Sequence, residues 1–195
     1  MTCGVRSTSQ MTMSKLKMTF EPVGGPLEIS VFDFDDTLVK TTSYIYMTRV
    51  NGERVKMTPA EYATYEPRRG DVFDFSDFEH VKSPTPIMHM LLKLQYAVRN
   101  LGTENVFILT ARGNSAPIRA FLDDMGIPKI RIYAIGSGDP QGKADVIRRE
   151  VISRRSRGRR VSVVRFYDDS AKNVAAVSDL QRELRPTKVI AVKID

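Results

Sequence analysis

A chain of 195 residues with 42% hydrophobic residues is long enough to bury one ordinary core, and its net charge of +7 admits nucleic acid as a partner. One cysteine, Cys3, excludes an internal disulfide and a thiolate metal site, and no apolar run approaches membrane-spanning length. The expectation is a single domain in a cytoplasmic setting, without membrane contact and with an oligomeric state the sequence leaves open.

Met1 to Phe20 is rich in Ser, Thr, Met and Lys without an apolar centre, so residues 1–26 read as a flexible N-terminal extension and not as a secretory signal. Met11, Met13 and Met18 are candidates for alternative starts. From Leu27 to Phe34 apolar and β-branched residues dominate, as in a buried strand. That run leads into Asp33 and Asp35, which period-two alternation would point the same way where the strand yields to Thr37 and a polar loop. In an open α/β sheet the carboxyl ends of the strands are where ligands bind. A cap or a turn is the bland role for an isolated pair of aspartates. Asp36 is expected in such a role, facing away from Asp33.

An insertion at about residues 43–82 comes next. Ser43 to Val50 and Glu53 to Met57 flank Asn51-Gly52, a favourable two-residue turn, which predicts a β-hairpin flap over the first strand. Thr58 as cap and Pro59 at the first position open a short helix through Tyr65, and Asp71 to Phe78 adds an extended segment. A longer helix starts near Pro84 or Pro86 and runs to about Asn100, with Leu91, Leu92, Leu94, Tyr96 and Val98 as apolar surface. Phe73, Phe75 and Phe78 are expected to pack within the insertion, and His80 and His89 to be surface or packing residues.

Asn105 to Thr110 is an apolar strand that stops at Thr110, before Ala111, Arg112, Gly113, Asn114 and a helix over Ala116 to Met125. Such a strand, turn and helix start offers a hydroxyl and backbone N–H groups to an anion. Gly142-Lys143 then opens a helix that would bring the Lys143 ammonium to the same edge. The loop before it is no nucleotide-binding loop: Ser137 and Ala144 break the Walker pattern, and Gln141 stands at the third glycine of the dinucleotide pattern. Val161 to Tyr167 is a strand ending in Asp168 and Asp169, with Asn173 beyond.

The order Asp-x-Asp-x-Thr, strand-Thr, Lys, strand-Asp-Asp-x-x-x-Asn resembles the haloacid dehalogenase (HAD) superfamily of phosphotransferases, over roughly Leu27 to Asp195. The resemblance implies a domain over residues 27–195, built as a three-layer α/β/α sandwich around a mostly parallel sheet, with the first motif on a central strand. It implies Asp33 as the nucleophile that forms an aspartyl phosphate and Asp35 as general acid/base. Thr110, Ala111, Arg112 and Lys143 would hold the phosphate. Mg2+ would be bound by Asp33, Asp168, Asp169 and the backbone carbonyl of Asp35. Within the family, a carboxylate at the position of Asp35 implies phosphoester hydrolysis and not dehalogenation. The chemistry agrees, because a carboxylate attacks a dianionic phosphomonoester only if cations neutralise the repulsion, and Mg2+ prefers such hard oxygen ligands. Receiver domains carry similar groups, but there the acidic pair comes first and the phosphorylated aspartate later.

The compact insertion and the Leu109-Thr110-Ala111-Arg112 turn also resemble the phosphatase part of phage polynucleotide kinases, which implies an open site and a phosphate on a nucleotide or polynucleotide end. Arg49, Arg54, Lys56, Arg68, Arg69 and Arg112 are better placed to meet such a substrate, with ordinary surface charge as the equal alternative. Arg148 to Arg160 holds seven arginines and one glutamate, but the helix beginning near Lys143 should carry this run to the opposite edge, where a solvated connector is favoured over an accessory site for a phosphate backbone or an acidic partner. Two further expectations compete with hydrolysis: a nucleic-acid-binding protein that keeps the scaffold without turnover, and phosphotransfer to an acceptor other than water.

Overall fold

The computed structural model describes residues 25–195, so the expected extension, Cys3 and the alternative starts fall on residues outside it. Along the chain run β1 (Leu27–Phe32), β2 (Val39–Lys40), β3 (Ile45–Thr48), β4 (Arg54–Met57), α1 (Pro59–Thr64), β5 (Val72–Asp74), a 3-10 turn (Ser76–Glu79) and β6 (Thr85–Pro86). They continue with α2 (Met88–Leu101), β7 (Val106–Thr110), α3 (Ala116–Asp124), β8 (Arg131–Ala134), α4 (Pro140–Ser156), β9 (Val161–Asp168), α5 (Ala171–Glu183) and β10 (Lys188–Lys193).

Mostly apolar strands belong inside a sheet covered on both faces, and β1, despite Glu28 and Ser30, and β7 occupy that place. The five-stranded sheet has the order β10-β9-β1-β7-β8 with every pairing parallel; Val31 of β1 sits beside Phe107 on one side and Phe166 on the other. Alternation divides the side chains between two cores. Phe32, Val106 and Ile108 cluster with Met90 and Leu94 of α2 and Ile118 and Leu122 of α3. Ile29, Val31, Phe107 and Leu109 cluster with Val146, Ile147 and Val151 of α4 and Val177 and Leu180 of α5. The protein is thus α/β with a parallel central sheet. Phe32 has no exposed surface, and truncating such a side chain to alanine costs about 3–5 kcal/mol.

Side-chain caps mark the starts of α1, α4 and α5. Asp139 accepts from the Gln141 N–H at 3.0 Å with Pro140 at the first position, so α4 begins before the Gly142-Lys143 expected to open it. In α2 the buried set is Met90, Leu91, Leu94, Ala97 and Val98, one face of a 3.6-residue period. Leu92 and Tyr96, expected to add to that face, fall on the other side and are 58% and 69% exposed. No described helix is long and apolar enough to cross a membrane.

The insertion forms a small antiparallel sheet, β4-β3-β5, as a hairpin with a third strand. Its turn is longer than the two residues expected: Thr48 pairs with Arg54, and the Arg49 N–H closes on the Glu53 carbonyl at 2.9 Å. An Arg49–Glu53 ion pair holds that longer loop, while Gly52 supplies the positive φ of 85°. Thr58 and Glu61 cap α1 reciprocally, as their spacing predicts. Tyr62, Phe73, Phe75 and Phe78 pack on one another, and the Tyr62 ring lies over Gly138 in the loop before α4. The insertion therefore reaches the edge of the sheet at which Lys143 sits.

Candidate active site

A carboxylate held away from water needs a counter-charge or a proton. Asp33 follows β1, with its N–H donating to the Tyr167 carbonyl at 2.9 Å, and it is 6% exposed. The Lys143 ammonium, buried in the first turns of α4, donates to Asp33 Oδ1 and to Asp168 Oδ2, both at 2.7 Å. Asp168, at the end of β9, also accepts from the Ser170 N–H at 2.8 Å and from Asn173 Nδ2 at 3.0 and 3.1 Å. These contacts fix the orientation of the Asp168 carboxylate beside Lys143.

The electrostatics follow from burial. Loss of solvent pushes the Asp33 carboxyl well above the ordinary range; Lys143 opposes this and Asp168 adds to it. Burial pulls the Lys143 ammonium down, yet Asp33 and Asp168 together outweigh it and hold its pKa above the usual value. Asp169 is pushed up to about 6, first by burial, then by Asp168 and Asp36. One ligand oxygen from each of Asp33, Asp168 and Asp169 lies within 4.8 Å of the others, a spacing and donor type that fit a hard divalent cation. Asp169, to which no other residue donates a hydrogen bond among the described residues, is the least engaged of the three carboxylates.

Comparison with family models, curated proteins and solved structures gives no match.

Asp35 does not share the environment of Asp33. Its two oxygens accept from Arg112 Nε at 2.8 Å and Nη2 at 2.7 Å, a bidentate pair, and Thr41 Oγ1 donates to Oδ1 at 3.3 Å. Arg112, expected to face the substrate phosphate, is itself buried and spends its other contacts on backbone carbonyls. Thr110 is buried too, its hydroxyl accepting from the Arg112 N–H at 3.2 Å, so it tightens the turn after β7; Ala111 in that turn is exposed. Asp36 has φ 54°, the left-handed region that Asp tolerates in turns, and its N–H bonds the Val39 carbonyl, in keeping with the turn role expected.

Sequence reasoning missed Ser170 and Thr41. Ser170 was detectable as the cap of α5, since its side chain accepts from the Asn173 N–H; nothing local marks Thr41. Of the cations expected near substrate, Arg49 pairs with Glu53 and Lys56 lies 3.5 Å from the centre of the Tyr44 ring. The arginine run lies at the opposite edge, as its helix requires, but it is more than a solvated connector. Arg154 bonds Glu150 and the Glu104 carbonyl, and Arg155 bonds Thr187 and the Leu184 carbonyl. His80 and His89 are exposed.

Proposed function

We propose that the protein is a Mg2+-dependent phosphomonoester hydrolase of the HAD type, working through an aspartyl phosphate at Asp33. The observation that carries this is Lys143, whose ammonium bridges Asp33 and Asp168 at the carboxyl ends of β1 and β9. Helices packed on both faces of a parallel sheet support the three-layer α/β/α core that such an enzyme uses.

Lys143 ties down Asp33 Oδ1, and no described donor reaches Oδ2, which is the oxygen free to attack phosphorus. Attack forms the Oδ2–P bond as the ester P–O bond breaks, and Asp35, which enters the step protonated at the Oδ2 position that Arg112 and Thr41 leave open, gives that proton to the departing oxygen. Water then attacks the phosphorus, Asp35 takes a proton from it, and inorganic phosphate leaves with the Asp33 carboxylate restored. Asp33, Asp168, Asp169 and the Asp35 carbonyl would hold the Mg2+, which would supply positive charge against the phosphate dianion. Lys143 adds a fixed positive charge to the same field. The small insertion favours a terminal phosphate of a nucleotide or polynucleotide as substrate, in the cytoplasm.

The test is phosphate release, with and without Mg2+, from an aryl phosphate, nucleoside monophosphates and oligonucleotides bearing 3′- or 5′-phosphate. Turnover that needs Mg2+ and falls by about 10³-fold or more in Asp33→Asn is expected. Full activity in that variant would refute the covalent route, and no release from folded protein on any substrate would refute the hydrolase assignment.

A further inference from the structure

We infer, on the phosphomonoesterase assignment above, that Arg112 is a positioning residue: it sets the Asp35 carboxylate and makes that setting depend on the insertion. The Arg112 side chain is 1% exposed and lies between the rings of Phe34 and Phe78, 5.5 and 5.0 Å from their centres. Nε and Nη2 hold Asp35, while Nη1 donates to the Phe78 carbonyl at 3.0 Å and the His80 carbonyl at 2.9 Å. Four of the five guanidinium N–H groups are therefore accounted for, two on the carboxylate and two on the insertion.

The carbonyls belong to a segment that is itself pinned. Asp77 accepts from Lys82 and from the Tyr44 N–H at 3.1 Å, and its carbonyl accepts from Ser43 Oγ at 3.3 Å. Contacts thus run without a gap from the base of the flap through Phe78 and His80 to Arg112 and on to Asp35. Arg112 lies 77 residues from Asp35 and 34 from Phe78, so both links are made by the tertiary fold.

Asp35 keeps room to react. Arg112 and Thr41 together fill three of about four acceptor positions, which leaves one on Oδ2, and the side chain is 18% exposed. A lysine carries the same charge but cannot span the carboxylate and two carbonyls from one plane, so the geometry requires arginine. The insertion in this arrangement does more than shape the entrance: it supplies half of the clamp on the group that exchanges protons with the leaving oxygen.

The test uses the full chain and two ester types, an activated nitrophenyl phosphate and phenyl or alkyl phosphates, whose leaving oxygens need a proton. Arg112→Lys is expected to lower kcat about 10-fold or more on the poor leaving groups and under about threefold on the nitrophenyl ester. In an Asp35→Asn background the same substitution should add less than about twofold on phenyl phosphate. Asp77→Asn, which loosens the segment without touching Asp35 or Arg112, should reproduce the leaving-group dependence at smaller size, and it serves if Arg112→Lys fails to fold. Equal losses on both ester types, additive penalties with Asp35→Asn, or a faster Arg112→Lys enzyme would each overturn the positioning role while the hydrolase assignment stands. Absence of turnover in the unmodified protein on every ester would overturn both.

Discussion

The two edges of the central sheet handle charge in opposite ways. At the carboxyl edge Asp33 and Asp168 share one buried ammonium, Lys143, and Asp169 has no ion pair among the described residues. At the amino edge Arg131 and Arg154 both bond Glu150 and the Glu104 carbonyl, and Arg155 bonds Thr187 and the end of α5. One edge holds Asp33 and Asp169, whose carboxyls burial raises above the ordinary range, the other cations distributed over several acceptors. Perturbed carboxyls of this kind support the functional reading of the carboxyl edge, whereas the paired cations of the amino edge serve the scaffold.

Lys143→Met is the strongest way to break that contrast. Two buried aspartates would be left without their counter-charge, costing about 3–5 kcal/mol in urea unfolding, and kcat/KM should fall about 10²–10³-fold in phosphate release. A folded variant with unchanged kcat/KM would mean that Lys143 is only structural. Asn173→Ala comes next. It removes both Nδ2 contacts with Asp168 and should cost about 1–3 kcal/mol and about 10-fold in kcat/KM.

A pH series sharpens the comparison at smaller scale. Asp169 titrates at about 6 in the folded protein against an ordinary 3.8, so the folded state binds the proton more tightly than the unfolded state. Its contribution to stability therefore declines as pH rises from about 4 to about 6 and levels off above that. With a chelator present, Asp169→Asn should flatten that part of the pH profile and stabilise the protein at pH 7 by about 1 kcal/mol after allowance for solvent screening. Added Mg2+ should stabilise the unmodified protein at pH 7 more than at pH 5, because a cation competes with protons for the same oxygens. Identical profiles for both proteins in urea melts would remove Asp169 from the cluster. The smallest effect is expected for Arg157→Gln at the amino edge, exposed and without an ion pair among the described residues: under about 0.5 kcal/mol and no change in kcat/KM.

Much of the fold was legible from local pattern. Leu27–Phe32 and Val106–Thr110 are predominantly apolar and lie largely buried in the sheet, and Thr58, Pro59 and Glu61 announce the start of α1. The hairpin was legible as well, although its turn length was not, because an Arg49–Glu53 pair across the loop competes with the local preference of Asn51-Gly52. Leu92 and Tyr96 were misplaced because an apolar residue does not declare which helix face it occupies until its neighbours are packed. In the candidate site, the membership of Asp33, Lys143, Asp168 and Asp169 was legible from their positions at strand ends and a helix start. The role of Arg112 was not, since an arginine in a polar turn looks the same whether it meets a ligand or a carboxylate 77 residues away.

The sequence by itself determined the α/β class, the strands that end in carboxylates, and the helix that carries Lys143 near its beginning. All of these follow from periodicity and capping within a few residues. Only the tertiary structure decided that Lys143 meets Asp33 across 110 residues, and that Asp35 is clamped by Arg112 while Asp169 stays free. Local pattern encodes which side of an element is buried. It does not encode which distant group completes a buried charge, because that choice is made when the sheet order β10-β9-β1-β7-β8 forms and the insertion docks on its edge.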